Sequence, residues 1–188
     1  MAHVFVKVGE INNLSDARYC AGMGVQLLGF VMKHPARKSL TKEDYIAITH
    51  WLEGPKFVGE FVGATNEEIL HLHKELNFDY VQTNTSEQAT YLINNGIEVI
   101  FTASENVLDI PNKISFLVIE DGFDENTLTP KIDTKLLIGK NVSLESLQHL
   151  VNQSKFAGLH LKGSDEIRPG YKNFDELAEI LEALEDLE

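Results

Sequence analysis

Short apolar runs alternate with amphipathic segments from one end of the chain to the other. Strands are predicted at Val4–Val8, Leu27–Met32, Phe57–Val62, Tyr80–Thr83, Glu98–Thr102, Phe116–Ile119, Leu136–Gly139 and Gly158–Lys162. Several are apolar at consecutive positions, the pattern of strands covered on both faces of a parallel sheet. Helices are predicted at Ser15–Met23, Thr41–Leu52, Asn66–Leu76, Ser86–Asn94, Ser143–Gln153 and Asn173–Leu187. Each opens on a residue able to cap the first backbone N–H groups: Ser15, Thr41, Asn66, Ser86, Ser143 and Asn173. Eight strands with intervening helices predict an α/β fold, a compact (β/α)8 TIM barrel forming a single domain over residues 1–188. A flavodoxin-like open sheet is the alternative, and eight strands fit it badly. The crossovers Ala103–Ile114 and Glu120–Lys135 are too short for full helices with loops, so the fifth and sixth helices should be short or missing. Phe174, Leu177, Ile180, Leu181, Leu184 and Leu187 make one apolar stripe on the last helix, which closes the barrel or offers a docking face.

Charge narrows the range of partners. A formal net charge of -13 argues against nucleic acid, because no basic stripe offsets phosphate repulsion. It leaves room for a small anion held by a few local donors. Cys20 is the only cysteine, so no intrachain disulfide or zinc cluster forms, and a buried, inert thiol is expected. The N-terminus lacks a basic segment followed by an apolar run, and no apolar stretch reaches membrane-spanning length. A cytoplasmic protein with no membrane contact follows as the expectation. His71 and His73 stand two apart on a helix and share no face, so they make a poor metal pair. His34, His50, His149 and His160 show no ligand spacing with carboxylates, and His160 is expected to be structural. The segment Asp121–Asn126 has the composition of a calcium loop without its pattern of ligands. No metal and no cofactor are expected. Trp51 is expected to pack against the barrel.

Several motifs stand in order along the chain. Val6-Lys7-Val8-Gly9 is followed by Asn13-Leu14-Ser15-Asp16-Ala17, Leu28-Gly29-Phe30-Val31-Met32 and Pro35-Ala36-Arg37. Val58 to Ile69 follows, then Phe78-Asp79-Tyr80-Val81-Gln82, Leu137-Ile138-Gly139-Lys140-Asn141 and Pro169-Gly170-Tyr171-Lys172-Asn173. This series resembles the phosphoribosylanthranilate isomerase family of tryptophan biosynthesis. That family usually shows Lys-Ile-Cys-Gly, Asn-Leu-x-Asp-Ala, Leu-Gly-Phe-x-Phe, Ser-x-Arg, Leu-Asp-x-Val-Gln and Pro-Gly-x-Lys-Asp. The chain departs from it at Gly9, which stands in the place of the catalytic cysteine, and at Thr83-Asn84-Thr85, where Leu-His-Gly is usual.

The resemblance implies an Amadori rearrangement, an intramolecular oxidoreduction of the aldose–ketose kind. An acid opens the furanose and a base removes a carbon-bound proton, so the two must face each other across the substrate. In the family the base is the first-strand cysteine and the acid an aspartate ending the sixth strand. The acid position here matches Glu120, with Asp121 the competing alignment. The base position is bare, and losing a positioned base removes about 10²–10⁴-fold of rate. Glu10 could replace it only if the chain bends near Gly9, because adjacent strand residues face opposite ways. The resemblance further assigns Arg37, Gln82 and Asn84 to the substrate and Gly139, Gly163 and Ser164 to a phosphate cradle. Lys140 and Lys162 are added cations at that rim, which either meet the phosphate or balance Asp165 and Glu166. Three readings follow: a diverged isomerase-like barrel impaired in its rearrangement and binding a small phosphorylated metabolite, an active isomerase using Glu10 and Glu120, or a non-catalytic barrel binding a metabolite or protein. Monomer and homodimer are both open.

Overall fold

The strands close on themselves. In the computed structural model, which describes residues 4–103, 109–121, 123, 134–152, 156–163, 166–168, 171–172 and 175–186, β1 (Phe5–Gly9), β2 (Leu27–Lys33), β3 (Lys56–Phe61), β4 (Tyr80–Thr83), β5 (Val99–Ala103), β6 (Phe116–Ile119), β7 (Lys135–Ile138) and β8 (Phe156–Lys162) form a closed barrel. Every neighbouring pair is parallel, and β1 pairs with β8 to complete the ring. The architecture is a (β/α)8 barrel. Among the described residues, five helices lie in the crossovers: α1 (Leu14–Gly22), α2 (Lys42–Thr49), α3 (Asn66–Leu76), α4 (Ser86–Asn94) and α5 (Leu144–Val151). A two-stranded antiparallel hairpin follows, β9 (Glu166–Arg168) with β10 (Tyr171–Lys172), and α6 (Asp175–Asp186) ends the fold. No helix occurs among the described residues between β5 and β6 or between β6 and β7. The hairpin was not expected from the sequence.

Helix starts follow capping chemistry, with three corrections. α1 is capped by the Asn13 side chain on the Asp16 N–H rather than by Ser15. α3 opens on Thr65, whose hydroxyl and the Glu68 carboxylate form a reciprocal capping box, so Asn66 is already helical. α4 has Thr85 at its cap position without a side-chain bond, and Ser86 Oγ instead donates to the Asp109 carbonyl. Thr41 and Ser143 cap α2 and α5 as expected. Asn173 lies outside the described residues.

Strand alternation divides the side chains into two sets. Outward residues such as Val8, Phe30, Phe61, Phe101 and Leu117 pack with the helices in the main core. Leu177, Ile180, Leu181 and Leu184 of the α6 stripe belong to this core, as does the buried Cys20. Inward residues Leu27, Val58, Ile100, Phe116, Val118 and Leu137 fill a second cluster inside the barrel, with Phe5 and Tyr80 against it. Trp51 departs from expectation. It is 63% exposed, and its ring meets only His50 among the aromatic contacts of the described residues. No helix of the described residues is long and apolar enough to cross a membrane.

Candidate active site

The inward positions change character toward the C-terminal ends of the strands, the face where barrels of this kind carry their chemistry. Lys7 of β1 is fully buried. Its ammonium donates to Glu60 Oε1 of β3 at 2.5 Å and lies 3.4 Å from His160 Nδ1 of β8. An ammonium only donates, so Nδ1 accepts and the imidazole proton sits on Nε2. Burial pushes the His160 pKa well below the usual imidazole value, and the charges of Lys7, Lys162 and Arg37 add to that effect. His160 is therefore a neutral imidazole. Its Nε2 lies 4.0 Å from Glu120 Oε1, too far for a direct hydrogen bond, while Lys162 Nζ reaches the same oxygen at 2.7 Å.

Glu10 sits just past β1 with φ 61°, a left-handed backbone that a non-glycine residue adopts at a cost of about 1–2 kcal/mol. The bend lies at Glu10 itself rather than at Gly9, and it takes the side chain away from strand alternation. The Glu10 carboxylate pairs with the Arg37 guanidinium, and its backbone N–H donates to Glu60 Oε2 at 3.2 Å. Asn141, which follows β7, has φ 49°. Both bent residues line the same cavity, consistent with strain collecting at a binding site.

Two of the cavities among the described residues at this face bear on these side chains. The larger measures about 750 Å³ and is lined by Arg37, Lys38, Gly139, His160, Lys162 and Gly163 among others. The smaller, about 130 Å³, reaches into the barrel between Glu60, Gln82, Thr102, Glu120 and His160. Glu10, Arg37, His160 and Lys162 line both.

The residues expected from the sequence fall into three groups. Glu10, Arg37, Glu120 and Lys162 all line the smaller cavity, and all but Glu120 line the larger one as well. Gln82 and Asn84 line the smaller one; Gln82 Nε2 donates to Thr102 Oγ1 at 2.9 Å, and its buried Oε1 has no hydrogen-bond partner among the described residues. Gly139 and Gly163 line the larger one, with the Gly163 N–H on the Gly9 carbonyl at 2.9 Å. Lys140 points elsewhere, donating to the Phe123 carbonyl at 3.1 Å. Lys162 takes Glu120 as its partner. Asp121, the competing acid, is exposed and lines only the larger of these two cavities. Ser164 lies outside the described residues.

Lys7, Glu60 and the central place of His160 are missed by the sequence reading. A signal was present. Each is a polar residue two positions after an apolar or glycine residue on the same face of its strand, Phe5, Val58 and Gly158 respectively, and a charge placed inside a barrel needs a partner inside it. Among the described residues, no group of three or more His, Cys, Asp or Glu could hold a metal ion.

Comparison with known proteins returns one family repeatedly. No family model matches the chain. N-(5'-phosphoribosyl)anthranilate isomerase of Parabacteroides distasonis is 23% identical over 207 aligned positions, covering 96% of this chain and 93% of the relative. The crystal structure of phosphoribosyl anthranilate isomerase from Thermus thermophilus superposes with a TM-score of 0.78 at 22% identity, covering 98% of this chain and all of the other. A phosphoribosyl anthranilate isomerase in complex with reduced 1-(o-carboxyphenylamino)-1-deoxyribulose 5-phosphate superposes at 0.75 with 20% identity, covering 97% and 99%. The motifs of β1, β2 and β4 and these relatives point the same way: the chain resembles phosphoribosylanthranilate isomerases from its first strand to its last helix.

Proposed function

We propose that the chain binds a phosphorylated metabolite at the C-terminal rim of its barrel and is impaired in the Amadori isomerisation of N-(5-phosphoribosyl)anthranilate. The reading rests on one pairing. The rim cavity carries the cations Arg37, Lys38 and Lys162, while Gly9 ends β1 where the resemblance puts the thiol base. A guanidinium offers a planar fork to a carboxylate or phosphate, and lysines act as point charges. Gly139 and Gly163 line the same cavity, with their backbone N–H groups already on the Ile119 and Gly9 carbonyls, so the side-chain cations carry the anion binding. A phosphoribosyl anthranilate isomerase of similar fold is solved in complex with reduced 1-(o-carboxyphenylamino)-1-deoxyribulose 5-phosphate, which supports the ligand class. Without a positioned base the rearrangement is slowed by about 10²–10⁴-fold.

A second reading keeps a working isomerase with Glu10 as base and Glu120 as acid. What favours it is that both carboxylates line the smaller cavity. What opposes it is the Arg37 guanidinium already on Glu10.

Two measurements test these readings. Calorimetric titration with reduced 1-(o-carboxyphenylamino)-1-deoxyribulose 5-phosphate should give binding, and no heat at millimolar ligand defeats the rim site. Expression in a tryptophan auxotroph lacking the isomerase should give no growth or slow growth. Growth at a normal rate that is abolished by Glu10→Gln and by Glu120→Gln would establish the second reading instead.

A further inference from the structure

The space beside Gly9 is occupied. A Cβ built on Gly9 would lie 2.6 Å from Glu60 Oε1, 3.0 Å from His160 Cε1 and 3.2 Å from Lys7 Nζ. A Glu60 carboxylate oxygen thus lies closer to the start of a side chain at residue 9 than van der Waals contact allows. Gly29 on β2 is bare for the same reason, since a Cβ there would run into the Glu60 carboxylate and lie 2.8 Å from Lys7 Nζ. Two glycines, one carboxylate and one ammonium fit together as a set, and any side chain at position 9 or 29 would disturb it.

We propose that Glu60 is the proton acceptor of this barrel, supplied from β3 instead of β1, and that His160 is the neutral hydrogen-bond donor working with it on the carbon next to a carbonyl or imine of a phosphorylated sugar. The proposal rests on the reading that such a ligand occupies the rim, and it goes further by naming the acting groups. Glu60 and His160 both line the smaller cavity. That cavity shares Arg37 and Lys162 with the larger one, so a phosphate among the rim cations leaves the sugar carbons within reach of Glu60. A carboxylate offers about four lone-pair sites, and Lys7 and the Glu10 N–H take two of them. The Lys7 contact fixes the carboxylate in place. His160 is donor-only toward the cavity, because Lys7 holds its other nitrogen, and a neutral imidazole N–H polarises a carbonyl well.

The chemistry balances without an oxidant or a cofactor. Glu60 takes the proton on carbon 2 of the open-chain sugar. The C–H electron pair becomes a carbon 1–carbon 2 double bond, and the carbonyl π pair moves to the oxygen on carbon 1. His160 Nε2–H meets the charge formed there. Return of the proton from Glu60 to carbon 1, with the hydroxyl proton on carbon 2 passing to the oxygen on carbon 1, gives the ketose. Return to carbon 2 after exchange with solvent regenerates the aldose. Carboxylates are weaker bases than thiolates, so a relocated carboxylate base agrees with an impaired rearrangement.

The test is hydrogen–deuterium exchange at carbon 2 of ribose 5-phosphate and of N-(5-phosphoribosyl)anthranilate, followed by proton NMR in D2O, with calorimetric affinities measured alongside. The wild-type protein should exchange. Glu60→Gln should lower the exchange rate about 10²-fold or more with affinity within about threefold, and Glu60→Asp, which keeps a charge for Lys7, should recover part of it. Should Glu60→Gln fail to fold, Lys7→Met/Glu60→Gln removes the unpaired ammonium and still lacks the base. Binding without exchange by the wild type overturns this proposal alone, as does exchange that survives loss of Glu60. Failure of both sugars to bind overturns the rim reading and this proposal with it.

Discussion

The lower and upper halves of the barrel interior are built from the same strands on the same alternation, yet they follow different rules. Below, Leu27, Val58, Ile100, Phe116, Val118 and Leu137 meet one another and nothing polar is required of them. Above, Lys7 answers Glu60, His160 answers Lys7, Glu120 answers Lys162, and Gln82 answers Thr102. In the lower half any apolar group of the right volume serves, because burial is roughly proportional to area. In the upper half each group is fixed by its partner, because an unpaired buried charge costs several kcal/mol. The division separates what holds the barrel from what can act on a ligand.

The strongest way to break this division is to take one partner from the buried pair. Glu60→Ala leaves the Lys7 ammonium fully buried without its carboxylate and should cost about 3–5 kcal/mol of stability. Urea denaturation measures it. Lys7→Met/Glu60→Ala should recover most of the loss, since replacing both charges removes the uncompensated one. A double variant no more stable than Glu60→Ala would show that the pair is not the origin of the effect.

The next largest effect belongs to the lower half. Leu137 is fully buried in the inner cluster, and Leu137→Ala should cost about 2–5 kcal/mol through lost burial and the cavity left behind. Calorimetric affinity for the sugar phosphate analogue should stay unchanged. A large loss of affinity at intact fold would mean that the two halves are coupled.

Acid sharpens the comparison through His160. Its folded pKa is depressed, so the unfolded chain binds a proton at a pH where the folded chain does not. Its contribution is present above the unfolded value of about 6.5 and is lost as pH falls below it, by up to about 1.4 kcal/mol per pH unit. The groups with which it interacts are Lys7, Lys162, Arg37 and Glu120. The melting temperature should drop between about pH 7 and about pH 5.5, above the ordinary carboxylate range, and His160→Asn should flatten that drop. His73 and His34 are depressed chiefly by burial and keep a residual slope. An unchanged slope in the variant would show that the imidazole is not held neutral.

The lower half and the barrel were legible in the sequence because they are local. Runs such as Leu27–Met32 and Phe116–Ile119 announce buried strands, and Thr41 and Ser143 announce helix starts. Each of those signals lies within a few residues of what it specifies. Gly9, Arg37 and Glu120 were singled out through motif resemblance, and Glu10 as the neighbour of Gly9. Lys7 and Glu60 were not, because the meaning of a charge inside a barrel depends on its partner, and their partnership spans 53 positions of chain. Trp51 shows the converse. It looked like packing material, but it stands just beyond α2, and its size could not reveal that it faces outward.

The smallest effect tests where the polar half ends. Lys162 carries the same charge as Lys7 on a neighbouring strand, but its side chain is 37% exposed where that of Lys7 is 0%. Solvent screens its pair with Glu120, which is itself 27% exposed. A pair of this kind contributes about 0–1 kcal/mol, so Lys162→Met should leave the denaturation midpoint almost where it was. The ligand should notice more than the fold does. Lys162 lines both cavities, and on the proposed rim reading removing it should weaken inorganic phosphate and ribose 5-phosphate alike, with a salt dependence shallower than wild type. A variant that loses stability on the scale expected for Glu60→Ala would move the boundary outward and make Lys162 part of the buried network. One that loses neither stability nor affinity would leave Arg37 and Lys38 as the cations that matter at the rim.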